Sequence, residues 1–319
     1  MCWEELNILK ENWVLRAEYS AKRLTSRELS NACNLPLQKL TLFIPKAENN
    51  KVDVLIDCII IALLKLSFDK QLAMNYKSAS QKVRILSEQW VDNSIFCPNC
   101  GRLNIDKYPN NQPVADFYCS HCREDYELKS KQNTIGVKIA DGAYHTMLER
   151  LTSSNNPNLF LLNYDLSNLE VTNFLVIPKH FFVPEMIEER KPLATTARRA
   201  GWIGCNILLQ SIPQTGKIFF VKNKQIEPKE KVLANWQKTL FLREEKEISA
   251  KGWLLDIMRC IERLGKHEFT LDDVYSFETE LNQLHPENKH IKDKIRQQLQ
   301  ILRDKDYLKF FGRGNYRLA

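Results

Sequence analysis

The sequence predicts a mixed α/β (α+β) fold with a four-cysteine zinc site, a C-terminal winged helix and an extra helical segment at the N-terminus. Three observations predict this fold class. Segments with helical periodicity alternate with apolar runs of strand length as far as about residue 243. Two CxxC pairs stand eighteen residues apart, which is the spacing of a four-cysteine zinc site. Three helical patterns and a glycine-containing hairpin then follow a charged segment.

Length and composition set the outer bounds on the protein. A chain of 319 residues is long enough for two or three domains, and 44% hydrophobic residues can bury a core. Lys and Arg number 46 against 39 Asp and Glu, which leaves a net charge of +7. This mild excess is compatible with a polyanionic partner but does not by itself require one.

Cysteine usage and hydropathy indicate a soluble, intracellular protein. The nine cysteines are an odd number, and four of them form the two CxxC pairs. No signal peptide is recognisable, and the most apolar run, Val52 to Leu64, has only thirteen residues and contains Asp53 and Asp57. Because a membrane span needs about 20 apolar residues, we expect this run to be a buried helix and the protein to have no membrane association.

Residues 1–75 are predicted to form a separate helical extension. The stretch SRELSNACNLPLQKL, which begins at Ser26, has the pattern of a helix, a short turn and a second helix. It fits either a small helical packing module or a DNA-binding helix-turn-helix. An oligomerisation element and a segment upstream of a translation start near Met74 are further alternatives.

Residues 76–244 are predicted to form the α/β domain. Val83, Leu86 and Trp90 recur at helical spacing within residues 76–92, and DGAYHTMLERL (141–151) has the same periodicity. Apolar runs of strand length follow. They are LFLLNYD (159–165), TNFLVIPKHFFV (172–183) and KIFFVKN (217–223).

Residues 245–319 are predicted to form a winged helix. The charge-rich segment FLREEKEISAKG (241–252) marks the boundary. Three helical patterns follow it, namely GWLLDIMRCIERL, FTLDDVYSFETELNQL with Thr270 as its N-cap, and IKDKIRQQLQILRDK. The stretch YLKFFGRGNYRL then alternates and turns at Gly312–Gly314, as a hairpin does.

The pairs Cys97-x2-Cys100 and Cys119-x2-Cys122 predict a structural zinc site. Two close thiolate pairs can reach one tetrahedral ion, and four protein ligands leave no position for a catalytic water. His121 is an alternative ligand that four thiolates make unnecessary. A redox pair or a chance cluster of cysteines would also produce this spacing.

Asp116, Glu127 and Lys129 are the candidate catalytic residues. On a strand, Glu127 and Lys129 point to one face, and Asp116 on a neighbouring strand can bring its carboxylate alongside. Two carboxylates suit Mg²⁺, and the lysine would orient or deprotonate a metal-bound water or stabilise the charge on the phosphoryl group. An acid and a lysine on a solvated strand edge are the plain alternative. Glu88 is either a third carboxylate or an exposed helix acid.

Several long motifs resemble the DpnI family of methyl-directed restriction endonucleases. They are SQKVRILSEQWV, CPNCG, PVADFYCSHC, ELKSK, NNPN (155–158), RKPLATTARRAGWIGCNI (190–207), FTLDDVY and IRQQLQILRDK. The resemblance covers about residues 76–319 and leaves residues 1–75 without a counterpart. It implies a PD-(D/E)xK restriction-endonuclease-like core at residues 76–244 and a winged-helix DNA-binding domain at residues 245–319.

The resemblance also implies the roles of the candidate residues. The two metal-binding acids of the family pattern fall on Asp116 and Glu127 and the lysine on Lys129, whereas the proline falls on Pro113 and not directly before Asp116. We expect catalytic Mg²⁺ at Asp116, Glu127 and the backbone carbonyl of Leu128, and structural Zn²⁺ at the four cysteines. The zinc site would rigidify the hairpin that presents the two acids.

The substrate that the resemblance implies is double-stranded DNA with N6-methyladenine in GATC. The enzyme would be a type II endonuclease in the prokaryotic cytoplasm, and we expect it to act as a monomer on DNA. Two more function classes are open to the same sequence. One is a non-cleaving regulator that binds methylated DNA, against which the complete acid pair and lysine argue. The second is a zinc-ribbon transcription factor, which would have no Mg²⁺-dependent activity.

Basic residues near the C-terminus are the candidate DNA contacts. Residues 289–317 contain nine Lys and Arg against three Asp, a local charge of +6 that suits phosphate contacts. Arginine and glutamine side chains on the third helix can also reach base edges, and wing residues would meet the backbone. The predicted contacts are Lys294, Arg296, Gln297, Gln300 and Arg303 on the helix and Arg313 and Tyr316 on the wing. A solvated basic face is the alternative.

Trp202 in AGWIGC is the candidate contact for the adenine methyl group in the nuclease domain. A methyl group in a pocket is worth only about 1–3 kcal/mol, so two domains that each require it would multiply the discrimination. Arg198 and Arg199 would hold phosphates or bases. The alternative is that Trp202 is simply a core residue.

Overall fold

The computed structural model describes residues 65–109, 115–153 and 156–319. Nearly all of the predicted helical extension at residues 1–75 lies outside these ranges, as does Pro113. The residues from Leu66 to Ala319 form one compact unit. Within the described residues, no helix is both long enough and apolar enough to span a membrane.

Helices and strands alternate along the described chain, which confirms the predicted mixed α/β class. The strands are β1 (Asp106–Lys107), β2 (Phe117–Tyr118), β3 (Asp125–Gln132), β4 (Lys138–Ala143), β5 (Asn158–Asp165), β6 (Glu170–Ile177), β7 (Ile187–Glu189), β8 (Gly204–Leu208), β9 (Ile218–Lys222), β10 (Gln225–Ile226), β11 (Glu268–Thr270), β12 (Leu308–Gly312) and β13 (Asn315–Leu318). The helices are α1 (Ala79–Ser94), α2 (Tyr144–Thr152), α3 (Lys229–Gln237), α4 (Ile248–Leu264), α5 (Leu271–Tyr275), α6 (Glu278–Leu284) and α7 (Ile291–Asp304).

A seven-stranded mixed sheet is the centre of the first part of the fold. Its strands follow the order β1-β2-β3-β5-β6-β9-β10. Neighbouring strands are antiparallel except β3 and β5, which are parallel. Since parallel strands need a crossover connection, the chain between β3 and β5 first forms β4 and α2.

Strand β5 shows how the sheet separates two faces. It is buried along nearly its whole length, as expected of a central strand that is covered on both sides. Leu159 enters the large hydrophobic core, whereas the next residue, Phe160, stacks on Tyr126 with ring centroids 4.4 Å apart. Glu127 is paired with Leu159, so its side chain lies on the face opposite to that of Tyr126.

A second sheet of three strands corrects one prediction. The strands follow the order β4-β8-β7. Helical periodicity predicts a helix from Asp141, but Lys138–Ala143 forms β4 and α2 begins only at Tyr144. Strand β4 pairs with β8, and Asp141 of β4 lies opposite Cys205 of β8. Pairing with a strand from much later in the chain therefore overrides the local helical pattern.

The apolar run 172–183 is longer than the strand that it forms. Strand β6 ends at Ile177, directly before Pro178, which has no N–H to donate to a neighbouring strand. The residues after Pro178 form a short 3₁₀ turn, Lys179–Phe181, and Phe181 is buried in the core. The apolar character of this segment thus reflects burial of a turn as well as of a strand.

The C-terminal part contains the predicted helices and hairpin with two differences. The predicted middle helix is divided into α5 and α6 at Ser276 and Phe277. In addition, β11 joins the hairpin in a sheet of order β11-β13-β12, and the sequence does not predict this strand. Thr270 caps α5 as predicted, since its hydroxyl accepts the N–H of Asp273 at 3.1 Å and the carboxylate of Asp273 accepts the N–H of Thr270 at 2.7 Å.

The C-terminal elements pack directly on the sheet domain. One hydrophobic core contains residues from both parts, such as Leu161 of β5 and Leu255 of α4. Glu262 on α4 adds a polar connection, because its carboxylate accepts the N–H groups of Gln214 and Thr215 at 2.6 and 2.8 Å. The two parts therefore share a core and a hydrogen-bond cluster at its edge.

Candidate active site

Asp116 is held against the Glu127-Leu128-Lys129 segment by hydrogen bonds. Its N–H donates to the carbonyl of Tyr126 at 3.0 Å, and its carboxylate accepts the N–H of Leu128 at 2.7 Å. Strand β2 begins directly after Asp116 and pairs antiparallel with β3. The structure thus brings the carboxylate of Asp116 to the strand that carries Glu127 and Lys129.

Lys129 lies between two carboxylates, one of which the sequence reasoning missed. Its Nζ is 2.6 Å from Oε1 of Glu127 and 2.7 Å from Oδ1 of Asp141. The side chain of Asp141 is only 4% exposed, and it also accepts the N–H of Gly142 at 2.7 Å. A lone acid before a glycine is a weak signal, and the periodicity of its surroundings assigned it to a helix.

Arg150 approaches Glu127 from α2. Its guanidinium nitrogen lies 3.2 Å from Oε2 of Glu127, so one oxygen of this carboxylate faces Lys129 and the other faces Arg150. Within the described residues, the buried Nε of Arg150 has no hydrogen-bond partner. Together with Asp141, these side chains form a four-membered charged cluster, which we call the β3 cluster: Glu127, Lys129, Asp141 and Arg150.

Burial and charge shift the pKa values around the β3 cluster in two directions. Burial raises the pKa of Glu127, with a further contribution from Asp141, and burial also raises the pKa of Asp116. Burial opposes ionisation of Asp141 as well, but Lys129, the N–H of Gly142 and the charge of Arg150 together outweigh it, and the pKa of Asp141 is lowered. The pKa of Lys129 is raised, because two carboxylates outweigh its burial. Asp141 and Lys129 therefore form a firm ion pair, whereas the ionised forms of Asp116 and Glu127 would be stabilised by an added cation.

Glu88 on α1 is buried and is not the exposed helix acid of the alternative interpretation. One of its oxygens is 2.5 Å from Nε of Arg84 and the other is 2.8 Å from Nζ of Lys107. After burial, the charge of Glu88 also contributes to the raised pKa of Asp116. Because both of its oxygens already face cations, this carboxylate is engaged in ion pairs, and it positions Arg84, whose charge also acts on Asp116.

The two CxxC pairs form the same turn twice. In each, the N–H of the residue after the second cysteine donates to the carbonyl of the first cysteine, at 2.8 Å for Gly101 and 2.7 Å for Arg123. Both residues have left-handed backbones, with φ of 75° and 60°, a conformation that glycine adopts without steric cost. The sulfurs of Cys97 and Cys122 lie 3.4 Å apart, and those of Cys100 and Cys119 lie 3.6 Å apart.

The four predicted cysteines therefore come together as one cluster. All four sulfurs lie within 4.8 Å of one another, and in the part of the chain that the structure describes no other group of three or more His, Cys, Asp or Glu is arranged to hold a metal ion. Four thiolates suit a soft or borderline tetrahedral ion, of which zinc is the commonest in proteins. His121 is exposed and is not a member of the cluster.

Tyr126 connects the cysteine cluster to the strand of the candidate acids. Its hydroxyl is 3.2 Å from the sulfur of Cys97, its ring is fully buried, and it directly precedes Glu127. On the other side, the side chain of Asn99 accepts a hydrogen bond from the indole N–H of Trp236 at 2.9 Å. The cluster is thus anchored both to the central sheet and to α3.

Trp202, Arg198 and Arg199 lie in the segment between β7 and β8. Both arginines are exposed and Trp202 is half-buried. The indole ring covers Gly204, where a side-chain carbon would come within 2.8 Å of it. The carbonyl of Trp202 accepts the N–H of Leu193 at 3.0 Å, which closes the loop. Trp202 therefore sits at the surface of the fold and is not fully enclosed in the core.

The predicted DNA contacts on α7 are mostly exposed. Gln297 and Gln300 face solvent. Arg296 is also exposed and lies 2.5 Å from Asp293, and Arg303 pairs with its neighbour Asp304 at 2.7 Å. These ion pairs are local to one helix and leave the guanidinium groups at its surface.

The remaining three predicted contacts differ in their surroundings. Lys294 is half-buried, with its ammonium group 5.9 Å from the centre of the Trp253 ring. Arg313 is exposed at the turn of the hairpin. Tyr316 is only 8% exposed and stacks on Phe269 with ring centroids 5.7 Å apart. Most of the Tyr316 ring therefore packs in the interior of the C-terminal domain and is not available for contact.

Comparison with protein-family models matches two consecutive segments. Residues 64–245 match the model described as the Dam-replacing family, DpnI. Residues 249–318 match the model described as the Dam-replacing HTH domain. The first segment contains the β3 cluster, Asp116 and the four cysteines, and the second contains α4 to α7 and the hairpin. Both segments lie where the motifs of the sequence resemble this family.

Proposed function

We propose a function from the premise that this chain belongs to the Dam-replacing family. The protein is proposed to be a Mg²⁺-dependent type II restriction endonuclease. Its proposed substrate is double-stranded DNA with N6-methyladenine in GATC sites. The family is one of restriction endonucleases, and the HTH domain implies DNA binding. The metal, the recognition sequence and the methyl requirement belong to the proposal.

One observation carries the catalytic part of the proposal. Asp116 accepts a hydrogen bond from the backbone N–H of Leu128, the residue between Glu127 and Lys129, so its carboxylate is held against the strand that carries both. This is the local arrangement that a PD-(D/E)xK core would need.

The donor set fits a divalent hard cation. The carboxylates of Asp116 and Glu127 and the backbone carbonyl of Leu128 would hold Mg²⁺, because this ion prefers oxygen ligands. When bound, Mg²⁺ would neutralise charge on the scissile phosphate and lower the pKa of a coordinated water. Burial raises the pKa of both acids, so a bound cation would stabilise their ionised forms.

Lys129 would supply the other positive charge of the reaction. An ammonium group has three N–H donors, and in the described residues two carboxylates face Lys129, those of Glu127 and Asp141. A third N–H can therefore orient the attacking water or meet the negative charge that develops on the phosphoryl oxygens. Asp141 would hold the ammonium group in place.

The cysteine cluster is proposed to hold structural Zn²⁺. Cys119 and Cys122 lie in the turn between β2 and β3, and thus between Asp116 and Glu127 along the chain. A tetrahedral ion there would fix the hairpin and keep Asp116 in register with β3.

DNA recognition is proposed to involve both domains. The order of helices and strands from Ile248 to Leu318 supports the proposal of a winged helix in which α7 would be the recognition helix. In the nuclease domain, the half-buried Trp202 beside Arg198 and Arg199 is the proposed reader of the methyl group. An apolar ring at the surface is suited to contact a methyl group in the major groove.

Plasmid cleavage tests the proposal. GATC-methylated and unmethylated plasmids are digested with Mg²⁺ or in Mg²⁺-free buffer, using the wild type, Asp116→Asn, Glu127→Gln and the surface control Glu185→Gln. We expect cleavage of methylated plasmid in Mg²⁺ only, a loss of about 100-fold or more in the two site variants, and no loss in the control. Equal cleavage of both plasmids would refute the methyl requirement, and full activity of the site variants would refute the site.

The alternative is a regulator that binds methylated DNA without cleaving it. It predicts tight binding to the methylated duplex and intact plasmid after prolonged incubation with Mg²⁺. The endonuclease is favoured by the contact of Lys129 with Glu127 and by the hydrogen bond that holds Asp116 to Leu128 between them.

A further inference from the structure

The hairpin of the C-terminal domain exposes two adjacent phenylalanines. Phe310 and Phe311 in β12 are 49% and 51% exposed. In the same domain, Phe269 is buried and Phe277 is half-buried. Single exposed apolar side chains are ordinary, but an adjacent aromatic pair on a small domain indicates a contact surface.

The backbone of the hairpin directs this pair outward. Phe310 is paired with Tyr316, and the next pairing is between Gly312 and Asn315, so Phe311 is the extra residue of a β-bulge. A bulge bends its strand and changes the direction of the side chain that it carries. Phe311 therefore does not have to follow the regular alternation of the strand.

Phe310 is supported from the domain core. Its ring lies edge-on to Tyr316 with centroids 5.9 Å apart, and Tyr316 stacks on Phe269 at 5.7 Å. Three rings thus form a row from the interior to the surface. A side chain braced in this way loses little conformational freedom when it makes a contact, which favours its use in binding.

The charges around the pair indicate what it contacts. Residues 307–319 contain three cations, Lys309, Arg313 and Arg317, and no acid. Among the described residues, Lys309 and Arg313 have no ion-pair partner, and Arg317 lies 3.8 Å from Glu268. An apolar pair within a cationic rim is complementary to a duplex, which presents phosphates beside sugars and base edges. A second copy of the same surface would bring like charges together.

We propose that Phe310 and Phe311 form an apolar wedge that contacts DNA in the minor groove beside the major groove that α7 enters. This inference rests on DNA binding by the HTH domain and not on cleavage or methyl recognition. Apolar side chains at such positions contact sugars and base edges and partly unstack a base step. Their contribution to affinity is nearly independent of salt, because an apolar contact releases no phosphate counterions.

Duplex binding by the full chain tests the wedge. Affinities for a methylated and an unmethylated GATC duplex are measured in Mg²⁺-free buffer without chelator over a range of salt concentrations, so that no cleavage occurs. The variant Phe310→Ala/Phe311→Ala is expected to bind both duplexes about tenfold or more weakly. Its slope of log Kd against log salt should stay at the wild-type value. The cation variant Lys309→Ala should instead reduce that slope by about one.

Two further variants and one optical signal complete the design. Phe310→Leu/Phe311→Leu keeps an apolar surface and should recover most of the affinity. Leu166→Ala removes a side chain of 50% exposure outside the HTH domain and should change nothing. A 2-aminopurine base in the step beside the site should brighten on binding of the wild type, because unstacking relieves its quenching, and should not brighten with the double alanine variant.

Several results would overturn the wedge. One is unchanged affinity in the double alanine variant with an unchanged circular dichroism spectrum. Another is a loss of affinity that accompanies a change from dimer to monomer, since the pair would then join two copies of the chain. The test also separates the wedge from methyl recognition. If the wild type binds both duplexes equally and the double alanine variant binds both more weakly, the wedge is supported and methyl recognition is refuted.

Discussion

At the scale of single residues, the position of Lys129 depends on two carboxylates from different parts of the fold. Glu127 lies two residues away on the same strand, so the alternation of β3 brings it to Lys129. Asp141 comes from β4 in the second sheet and is the less exposed of the two. Glu127 also contacts Arg150. In the described residues, by contrast, Lys129 is the one cation within ion-pair distance of Asp141.

Replacement of Asp141 by Asn should slow cleavage without weakening DNA binding. The amide keeps the size of the side chain but removes the charge that holds the ammonium group, so we expect a rate loss of about 10- to 100-fold, as for other residues that position a functional group. Single-turnover cleavage of methylated duplex measures the rate, and anisotropy measures affinity. Asp141→Glu should recover part of the rate, and Asp272→Asn, at an exposed position, should have no effect. A wild-type rate in Asp141→Asn would contradict this role.

His180 is a buried residue whose protonation opposes folding. Its Nε2 is 2.9 Å from the hydroxyl of Thr239, and its Nδ1 accepts a hydrogen bond from Arg243 at 3.4 Å. Burial lowers the pKa of His180 well below 6.5, and the positive charges of Arg243, Lys251 and Lys179 lower it further. The folded protein therefore keeps this imidazole neutral.

Stability should consequently fall as the pH drops below about 6.5. The unfolded chain takes up the proton at the ordinary histidine pKa and the folded chain does not, so up to about 1.4 kcal/mol is lost per pH unit until the folded pKa is reached. Thermal unfolding between pH 7.5 and 5 measures this. His180→Gln should flatten the profile in this range, whereas the exposed His290→Gln should not. Parallel profiles of wild type and His180→Gln would rule the histidine out.

At the scale of elements, the two CxxC turns and the β2–β3 hairpin are connected by hydrogen bonds and by the cysteine cluster. Each turn closes with the same backbone hydrogen bond and a left-handed residue. Tyr126 links the sulfur of Cys97 to the strand that carries Glu127. A change in the cysteine cluster should therefore alter the positions of Asp116 and Glu127.

Removal of the cluster's metal should inactivate the enzyme in a way that Mg²⁺ does not reverse. Metal binding to four thiolates contributes directly to the free energy of folding, so a strong chelator should lower the melting temperature and abolish cleavage until Zn²⁺ is returned. Metal analysis should find about one zinc per chain, less in Cys100→Ser and the same in Cys260→Ala. The assignment would be contradicted if the purified active protein contained no zinc. It would also be contradicted if the zinc content per chain were unchanged in Cys100→Ser.

At the scale of the whole molecule, Glu262 fastens the C-terminal part to the sheet domain. Its carboxylate accepts hydrogen bonds from two backbone N–H groups and from the hydroxyl of Thr215 at 2.7 Å. The hydroxyl of Tyr307 lies 3.1 Å from the same Thr215 hydroxyl. This cluster sits beside the shared hydrophobic core, so the two parts are held in one orientation.

Replacement of Glu262 by Gln should loosen this connection. An amide has one acceptor oxygen and no charge, so at least one of the N–H groups of Gln214 and Thr215 loses its partner, at a cost of about 1–3 kcal/mol. The expected result is a lower melting temperature and faster amide hydrogen exchange at residues 214–216. Glu287→Gln, at an exposed acid, is the matched control. Exchange rates equal to those of the wild type would show that the carboxylate contributes little.

Local patterns in the sequence determined much of what the structure contains. The periodicity of α1 and α7, the apolar runs of β5 and β9, and the Thr270 cap of α5 were all predictable, because each depends on residues a few positions apart. The four cysteines were predictable as a cluster from their spacing. The resemblance to the DpnI family, which rests on long motifs, is confirmed by the family matches.

The tertiary structure alone decided where several functional side chains lie. Asp141 is in a strand beside Lys129 because β4 pairs with β8, Glu88 is buried between two cations, and Phe311 is the extra residue of a bulge. Each of these depends on which distant segments pair or pack, and the free energy of such contacts is not encoded in any short window of sequence. Periodicity specifies the face that a residue occupies, whereas only the assembled sheets specify its neighbours.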